Sequence, residues 1–297
     1  MKNKSLYPLF IGFGKQAQEY AKVFSKKKIK IHSVCVSNIK KKKKIFDKYK
    51  IKNRFENIEI ALLNKGFNSI FVFLPFNLIE KKIFTILKMS NVPVYTEKPI
   101  ALSFNKIVKI EKFVRKNKKK IYILYNRNHY KLFQVIQNLN KKEKFILRAF
   151  IPERIKQTIN NIDKNLKGHI RYHLASHWIN FFFSIHKIKN LQPIHNKGEI
   201  TYKNKKIEIL ISPNHKGYIS AIYISKNYIL FLLTLEQLFV FKKINKKIKF
   251  VRYYNEFSEN KFKPGIEKLI SFITKKKFKS NLTDIRILYN SLKKLNY

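Results

Sequence analysis

A glycine turn near the start of the chain constrains the fold more than any other feature. Leu6–Ile11 is a short apolar run, followed at once by Gly12-Phe13-Gly14-Lys15-Gln16-Ala17. Ala17, Tyr20, Ala21 and Phe24 then recur at helical spacing. This is G-x-G-x-x-A between a strand and a helix. The first glycine permits the tight turn, and the second lets backbone amides approach a pyrophosphate. Ala17 keeps the helix close to the sheet, and the helix N-terminus faces the phosphates. Only seven glycines occur in 297 residues, so two of them in one turn carry weight. Gly12, Gly14, Lys15, Gln16 and Ala17 are therefore candidate dinucleotide contacts.

The next hundred residues keep the same rhythm. Ile29–Val36, Asn68–Leu74, Val92–Tyr95 and Ile121–Tyr125 read as strands, with helical segments at Ile79–Lys88 and Phe104–Asn117. Strands alternating with helices indicate a doubly wound parallel sheet, an α/β Rossmann domain. After about Asn126 the pattern changes. Phe145–Ile151 precedes one helix near His169–Ser184, and strand-like runs follow at Glu199–Ile211, Tyr218–Ser225, Tyr228–Leu235, Leu238–Lys242 and Ile248–Tyr254. Short turns between them predict an open, mainly antiparallel sheet in an α+β domain, closed by helices at Gly265–Thr274 and Leu282–Leu295. The expected division is a dinucleotide-binding domain over 1–126 and a substrate and oligomerisation domain over 127–297.

Charge qualifies this picture without overturning it. The chain carries 65 Lys+Arg against 17 Asp+Glu, a formal net charge of +48, yet 45% of its residues are hydrophobic. It is no disordered polycation, because such chains lack the side chains for a core. Only eight basic residues are arginine, whereas base readers and phosphate clamps favour the bidentate fork of Arg. Lysine is spread throughout beside abundant Ile, Asn, Phe and Tyr, all with A/T-rich codons, so mutational bias in an AT-rich genome accounts for the excess. No specific nucleic-acid partner is expected, although a positive field draws in anionic ligands. The lone Cys35 excludes an internal disulfide framework and a multi-Cys zinc finger. The apolar runs Ile70–Leu74 and Tyr228–Leu235 are too short to span a membrane. The first apolar stretch runs straight into the glycine turn and reads as a strand, not a signal peptide, so a cytoplasmic protein is expected.

The second strand ends about twenty residues past the glycine turn at Ser37-Asn38. An NAD-selective site normally carries Asp or Glu there, to bind the ribose hydroxyls. Without the acid, repulsion of a 2′-phosphate is absent, and the lysines from Lys40 onward stand nearby. The expected cofactor is NADP or NAD, with NADP favoured.

Further along, Val94-Tyr95-Thr96-Glu97-Lys98-Pro99-Ile100 runs a strand into Glu-Lys-Pro. With Gly12-x-Gly14-x-x-Ala17, the strand ending Leu74-Pro75, Asn126-Arg127, the helix around His177 and Pro264–Leu295, the chain resembles the glucose-fructose oxidoreductase / inositol dehydrogenase (Gfo/Idh/MocA) family over nearly its full length. The resemblance implies an NAD(P)-dependent oxidoreductase, with a Rossmann domain followed by a domain whose open sheet carries substrate contacts and oligomer interfaces. Lys98 falls on the family's lysine, which contacts substrate and nicotinamide, and Glu97 positions its loop. His177 matches the catalytic histidine. Leu74, Pro75, Glu97 and Lys98 join the cofactor contacts; Lys98, Arg127, Tyr172, His173 and His177 form the substrate side. A cis Lys98–Pro99 bond is expected. Chemically, an ammonium beside a carbonyl or alkoxide stabilises charge developing on oxygen, and an imidazole exchanges the hydroxyl proton.

Departures from the family pattern bear on that chemistry. His173 stands where many members have Asp, Asn180 replaces another frequent Asp, and Ile79 occupies a position that is often His. His173 and Tyr172 are the available substitutes, with His173 one helical turn from His177. His169, His173 and His177 share a stripe, but the third lies too far along the axis for one ion and no acid completes a set, so no metal is expected. Phe181–Phe183 read as packing, and Trp178 as either packing or a sugar platform. The expected reaction moves a hydride to or from a sugar, nucleotide sugar or polyol, with a surface-polysaccharide nucleotide sugar preferred. Alternatives are a carbonyl or imine reductase of a secondary-metabolite pathway and a non-catalytic dinucleotide-binding protein. A homo-oligomer is expected.

Overall fold

The computed structural model describes residues 6–153, 170–186, 193–196, 198–213, 217–257, 263–275 and 280–292, with the side chains of 170–175, 177, 195 and 291–292 outside the description. The chain divides into two compact units, Met1–Tyr125 with Ile266–Arg286, and Asn126–Gly265 with Ile287–Tyr297.

In the first unit, strands β1 (Pro8–Ile11), β2 (Ser33–Cys35), β3 (Asn53–Phe55), β4 (Ser69–Val72), β5 (Val94–Thr96) and β6 (Ile121–Ile123) form a parallel sheet in the order β3-β2-β1-β4-β5-β6. The order reverses between β1 and β4, the switch point where doubly wound sheets bind ligands at the strands' carboxyl ends. β1 and β4 are buried along their whole length, in keeping with the apolar runs Leu9–Ile11 and Ile70–Val72 that they carry. Helix α1 (Lys15–Lys26) buries Ala17, Tyr20, Ala21, Val23 and Phe24. Aromatic rings fill the space beneath it: Phe10 lies 5.0–5.9 Å, centroid to centroid, from Phe13, Phe24, Phe71 and Phe73. The remaining helices of this part are α2 (Lys43–Lys48), α3 (Ile58–Leu63), α4 (Phe76–Met89) and α5 (Phe104–Lys116).

The chain returns to this unit near its end through α8 (Ile266–Lys275) and the first turns of α9 (Leu282–Leu292), a return that a linear division at 126 does not contain. Glu267 pairs with Lys26 at 2.8 Å, and Arg286 with Glu111 at 2.7 Å. Asn281 donates to the Ile123 carbonyl at 2.8 Å and accepts from its amide at 2.9 Å, so one side chain occupies both edge groups of that β6 residue.

The second unit holds an eight-stranded sheet built from β7 (Ile146–Glu153), β8 (Pro193–Asn196), β9 (Glu199–Lys203), β10 (Ile207–Pro213), β11 (Ser220–Ile224), β12 (Tyr228–Leu233), β13 (Gln237–Ile244) and β14 (Lys247–Asn255). Its order is β14-β13-β12-β11-β7-β10-β9-β8, antiparallel except for β7 beside β10. Helices α6 (Lys131–Lys142) and α7 (Ile170–His186) accompany it. Burial alternates along the strands: Leu230 and Leu232 are fully buried while Phe231 between them is exposed. Phe231, Ile248, Phe250, Val251 and Tyr253 leave an apolar surface uncovered.

Candidate functional site

At the end of β1 the backbone takes φ +87° at Gly12, whose amide donates to the Cys35 carbonyl at 2.8 Å. A Cβ there would stand 2.6 Å from the Phe73 carbonyl oxygen, so both the dihedral and the neighbouring strand demand glycine. Gly14 differs. It caps α1 in an extended conformation, φ −80°, and a Cβ on it would meet nothing within 4 Å. The protein's own atoms therefore do not require glycine at 14, and the open room lies at a helix N-terminus without a side-chain cap and without an acid in its first turn. Unspent amides and the helix dipole favour an anion in that room, so a dinucleotide pyrophosphate fits the residues present. Lys15 is exposed and Gln16 half-buried in the first turn, while Ala17 is fully buried against the sheet.

Past β2, Ser37 is exposed and Asn38 accepts from the Lys41 amide at 2.9 Å, starting the 3₁₀ turn Lys40–Lys42. Glu56 accepts from the Ile39 amide at 2.8 Å. The Lys42 ammonium donates to the Phe13 carbonyl at 2.9 Å, placing a positive charge on the glycine turn itself. Sequence reasoning noticed the lysine run but could not single out Lys42, because the contact spans 29 positions.

The Glu-Lys-Pro segment is anchored on both sides. The Glu97 amide donates to the Val72 carbonyl at 3.0 Å, and the Gln16 side-chain amide donates to the Glu97 carboxylate at 3.0 Å. Lys98–Pro99 is cis, as expected. Beyond it Ile100 and Ala101 are fully buried, and the Leu102 amide is taken by Glu80 of α4 at 2.6 Å. Lys98 is half-buried between these anchors. Tyr20 lies fully buried close behind, its hydroxyl pKa raised by burial and then by the Glu97 charge. Leu74 and Pro75 follow β4, with exposed Pro75 capping α4. The glycine turn, Ser37, Leu74-Pro75 and Glu97-Lys98 thus share the carboxyl edge of one sheet. Gln16–Glu97 and Glu80–Leu102 were not anticipated; no local signal marks hydrogen bonds between residues 81 and 22 positions apart.

In the second unit, Asn126 donates to the Pro264 carbonyl at 2.9 Å and the Arg127 guanidinium lies 3.7 Å from the Trp178 ring centre. That stack gives Trp178 a role beyond packing. Arg127 also reaches Glu236 at 3.4 Å, and Tyr130 donates to the same carboxylate at 3.5 Å. Burial pushes the Glu236 carboxyl pKa up, with Arg127 opposing it. Tyr172, His173 and His177 lie on α7, but their side chains fall outside the described residues, as His169 does entirely. Asn180 is buried on the same helix. Among the described residues, no three His, Cys, Asp or Glu side chains group as metal ligands, and no helix is long and apolar enough to cross a membrane.

Residues 8–125 match the GFO_IDH_MocA family model, described as an oxidoreductase family with an NAD-binding Rossmann fold. Solved structures match along the whole chain. A super-repressor mutant of Gal80p from Saccharomyces cerevisiae superposes with TM-score 0.76 at 12% identity, covering 98% of this chain and 95% of that one. UDP-N-acetylglucosamine 3-dehydrogenase from Acidithiobacillus ferrooxidans gives 0.71 at 11%, covering 98% and 97%. Biliverdin reductase from Synechocystis sp. PCC 6803, in complex with biliverdin and NADP+, gives 0.71 at 12%, covering 97% and 97%. At such identities the likeness is one of fold. No curated protein matches the sequence. The match of residues 8–125 places that segment with the Gfo/Idh/MocA oxidoreductase family and its NAD-binding Rossmann fold, and the solved structures extend the likeness in fold to the rest of the chain.

Proposed function

We propose that this oxidoreductase moves a hydride between a nicotinamide cofactor and a carbinol or carbonyl carbon of a sugar, nucleotide sugar or polyol. The observation that carries the reading is the 3.0 Å bond from Gln16 to Glu97, which ties the phosphate-binding turn to the segment bearing Lys98. Bound there, NAD(P) supplies hydride acceptance and donation at its nicotinamide. Gly12, Gly14 and the amides of Lys15 and Gln16 hold the pyrophosphate, Ala17 fixes the helix, and Leu74 and Pro75 line the adjoining strand end. Ser37 and Asn38 flank the adenosine ribose, and Lys42 neutralises a 2′-phosphate, so NADP is preferred.

Lys98 carries the charge stabilisation. A fixed ammonium beside the substrate oxygen costs no reorganisation as negative charge develops there. In the oxidative direction His177 takes the hydroxyl proton as the carbon gives up its hydride, and in reduction it returns that proton. His173 supports it in the place of the usual acid, and Arg127 and Tyr172 complete the substrate side. Nucleotide sugars remain the favoured class, supported by the +48 net charge and by the fold shared with a UDP-N-acetylglucosamine dehydrogenase. In this reading residues 1–126 bind the dinucleotide and 127–297 serve substrate binding and self-association. A second copy covers the apolar sheet surface of Phe231, Phe250 and Tyr253.

His173 and Asn180 favour one second reading, a dinucleotide-binding protein without turnover. NADPH oxidation against a panel of keto sugars and UDP-keto sugars separates the two. Turnover that falls by about 10²–10³ in Lys98→Met, with dinucleotide affinity retained, is the expected result. Tight NADPH binding with no turnover on any member of the panel supports the second reading.

A further inference from the structure

The first unit has a second concave surface, at the opposite end of its strands from the glycine turn. It is a cleft of about 660 Å³, within the range that small-molecule sites occupy. Tyr7 precedes β1, His32 precedes β2 and Asn53 opens β3, so the floor is the amino edge of the sheet. Five lysines line it, Lys28, Lys30, Lys48, Lys50 and Lys52, and no carboxylate does. Five in thirteen lining residues is twice the lysine content of the whole chain.

All five are exposed, and the Lys48 ammonium lies 5.8 Å from the Tyr49 ring centre. Lys28 and Lys50 follow the ends of α1 and α2 with φ of 56° and 55°. Each sits in a closed helix-ending turn: Lys28 donates to Ser25 and Ile29 to Phe24, and Lys50 donates to Asp47 and Ile51 to Phe46. The turns fix where both side chains leave the backbone. Carboxylates on the surrounding elements are engaged elsewhere, Glu19 with Lys22, Asp47 with Arg54 and Glu267 with Lys26 and Lys27. Among the described residues none of the five cleft lysines forms an ion pair. Solvent and salt screen these exposed ammonium groups, and a multivalent anion gains from several of them at once. The aromatic side is formed by Tyr7, which stands edge-on to His32 at 4.8 Å, and Tyr49.

We infer that this cleft binds a small, multiply charged phosphorylated anion, at a site separate from the dinucleotide turn. A bounded cleft of this size, lined by ammonium point charges with no arginine fork, suits several phosphate groups on one small molecule more than a nucleic-acid strand.

The test uses the full chain and inorganic tripolyphosphate, followed by isothermal calorimetry at 50 mM and 300 mM KCl. Saturable binding is expected at low salt, weakened at least fivefold at high salt. It should fall at least tenfold in Lys28→Asn/Lys48→Gln/Lys50→Asn, where asparagine tolerates the left-handed backbone. A second variant, Lys30→Gln/Lys52→Gln, leaves both helix ends untouched and should weaken binding at least threefold. Gly14→Asp, at the other edge, removes any contribution of the dinucleotide turn and should leave the salt-sensitive binding and its loss in the two lysine variants in place, and Lys141→Gln/Lys142→Gln, a control run, should bind as the parent does. No binding, equal loss in the control run, or loss confined to Gly14→Asp overturns the inference. So does a 20-base-pair DNA duplex that binds more tightly than tripolyphosphate through the same lysines.

Discussion

Replacing Gly12 with alanine should destabilise the protein by about 2–5 kcal/mol, and the two parts of that figure come from separate observations. A side chain at φ +87° costs about 1–2 kcal/mol in backbone strain alone. The added methyl would also lie 2.6 Å from the Phe73 carbonyl oxygen and 2.9 Å from its carbon, atoms of a strand end that bonds β1 through Phe73 N–H to Ile11. Overpacking against backbone adds about 1–3 kcal/mol. Gly14→Asp is the matched control, because its Cβ meets nothing within 4 Å and aspartate is a preferred N-cap in the extended conformation Gly14 already has. It should stay within about 0.5 kcal/mol of the parent or exceed it. Urea unfolding followed by far-ultraviolet circular dichroism reads both. The expected result is a midpoint lowered by on the order of 1 M in Gly12→Ala and unmoved or raised in Gly14→Asp. Equal destabilisation by the two would refute the claim that one glycine serves the fold and the other serves a ligand.

Three further outcomes follow from particular contacts. His186 is half-buried and stacked on Tyr223, and burial lowers its pKa from 6.5 to about 4. The folded protein keeps it neutral while the unfolded chain takes up a proton below about pH 6.5. Stability should therefore decline as pH falls from 6.5 toward 4, by up to about 3 kcal/mol, and His186→Phe should flatten that decline in urea midpoints measured at each pH. Asn281→Ala leaves both edge groups of Ile123 without their partner and should cost about 1–3 kcal/mol in the same unfolding assay, whereas Asn117→Ala, at an exposed helix end, should cost under about 1. Phe231→Glu/Phe250→Glu places charge on the uncovered sheet surface and should shift sedimentation velocity to the monomer, with no change if that surface is free in solution.

The glycine turn, the Glu-Lys-Pro segment and the alternation of strand with helix were legible because each is local: buried strands such as β4 carry an apolar run, Ile70–Leu74, and Gly12 is dictated by its own dihedral. What escaped has a physical pattern. Glu199–Ile211 read as one strand but is two, β9 and β10, because the turn is made by Asn204-Lys205-Lys206 with no glycine or proline. The Asn204 side chain accepts from the Lys206 and Ile207 amides at 2.8 Å each, doing locally what a turn residue usually does with backbone freedom. β3 is three residues long and not fully buried, so it carries no periodic signal. The return of Ile266–Arg286 to the first unit depends on bonds such as Asn281 to Ile123, 158 positions apart. Lys42 on the Phe13 carbonyl and Gln16 on Glu97 belong to the same class. A motif names the turn; only the folded chain shows which side chains are delivered to it.

Nicotinamide fluorescence of NADPH titrated with the full chain tests the dinucleotide site most directly, with Gly14→Asp and Lys42→Ala run alongside. One saturable site per chain is predicted, tighter for NADPH than for NADH. Gly14→Asp should lose at least a hundredfold in affinity while remaining folded, and Lys42→Ala should lose the preference for NADPH while keeping NADH binding. Folded Gly14→Asp that binds NADPH as the parent does would contradict the assignment of that turn to the cofactor.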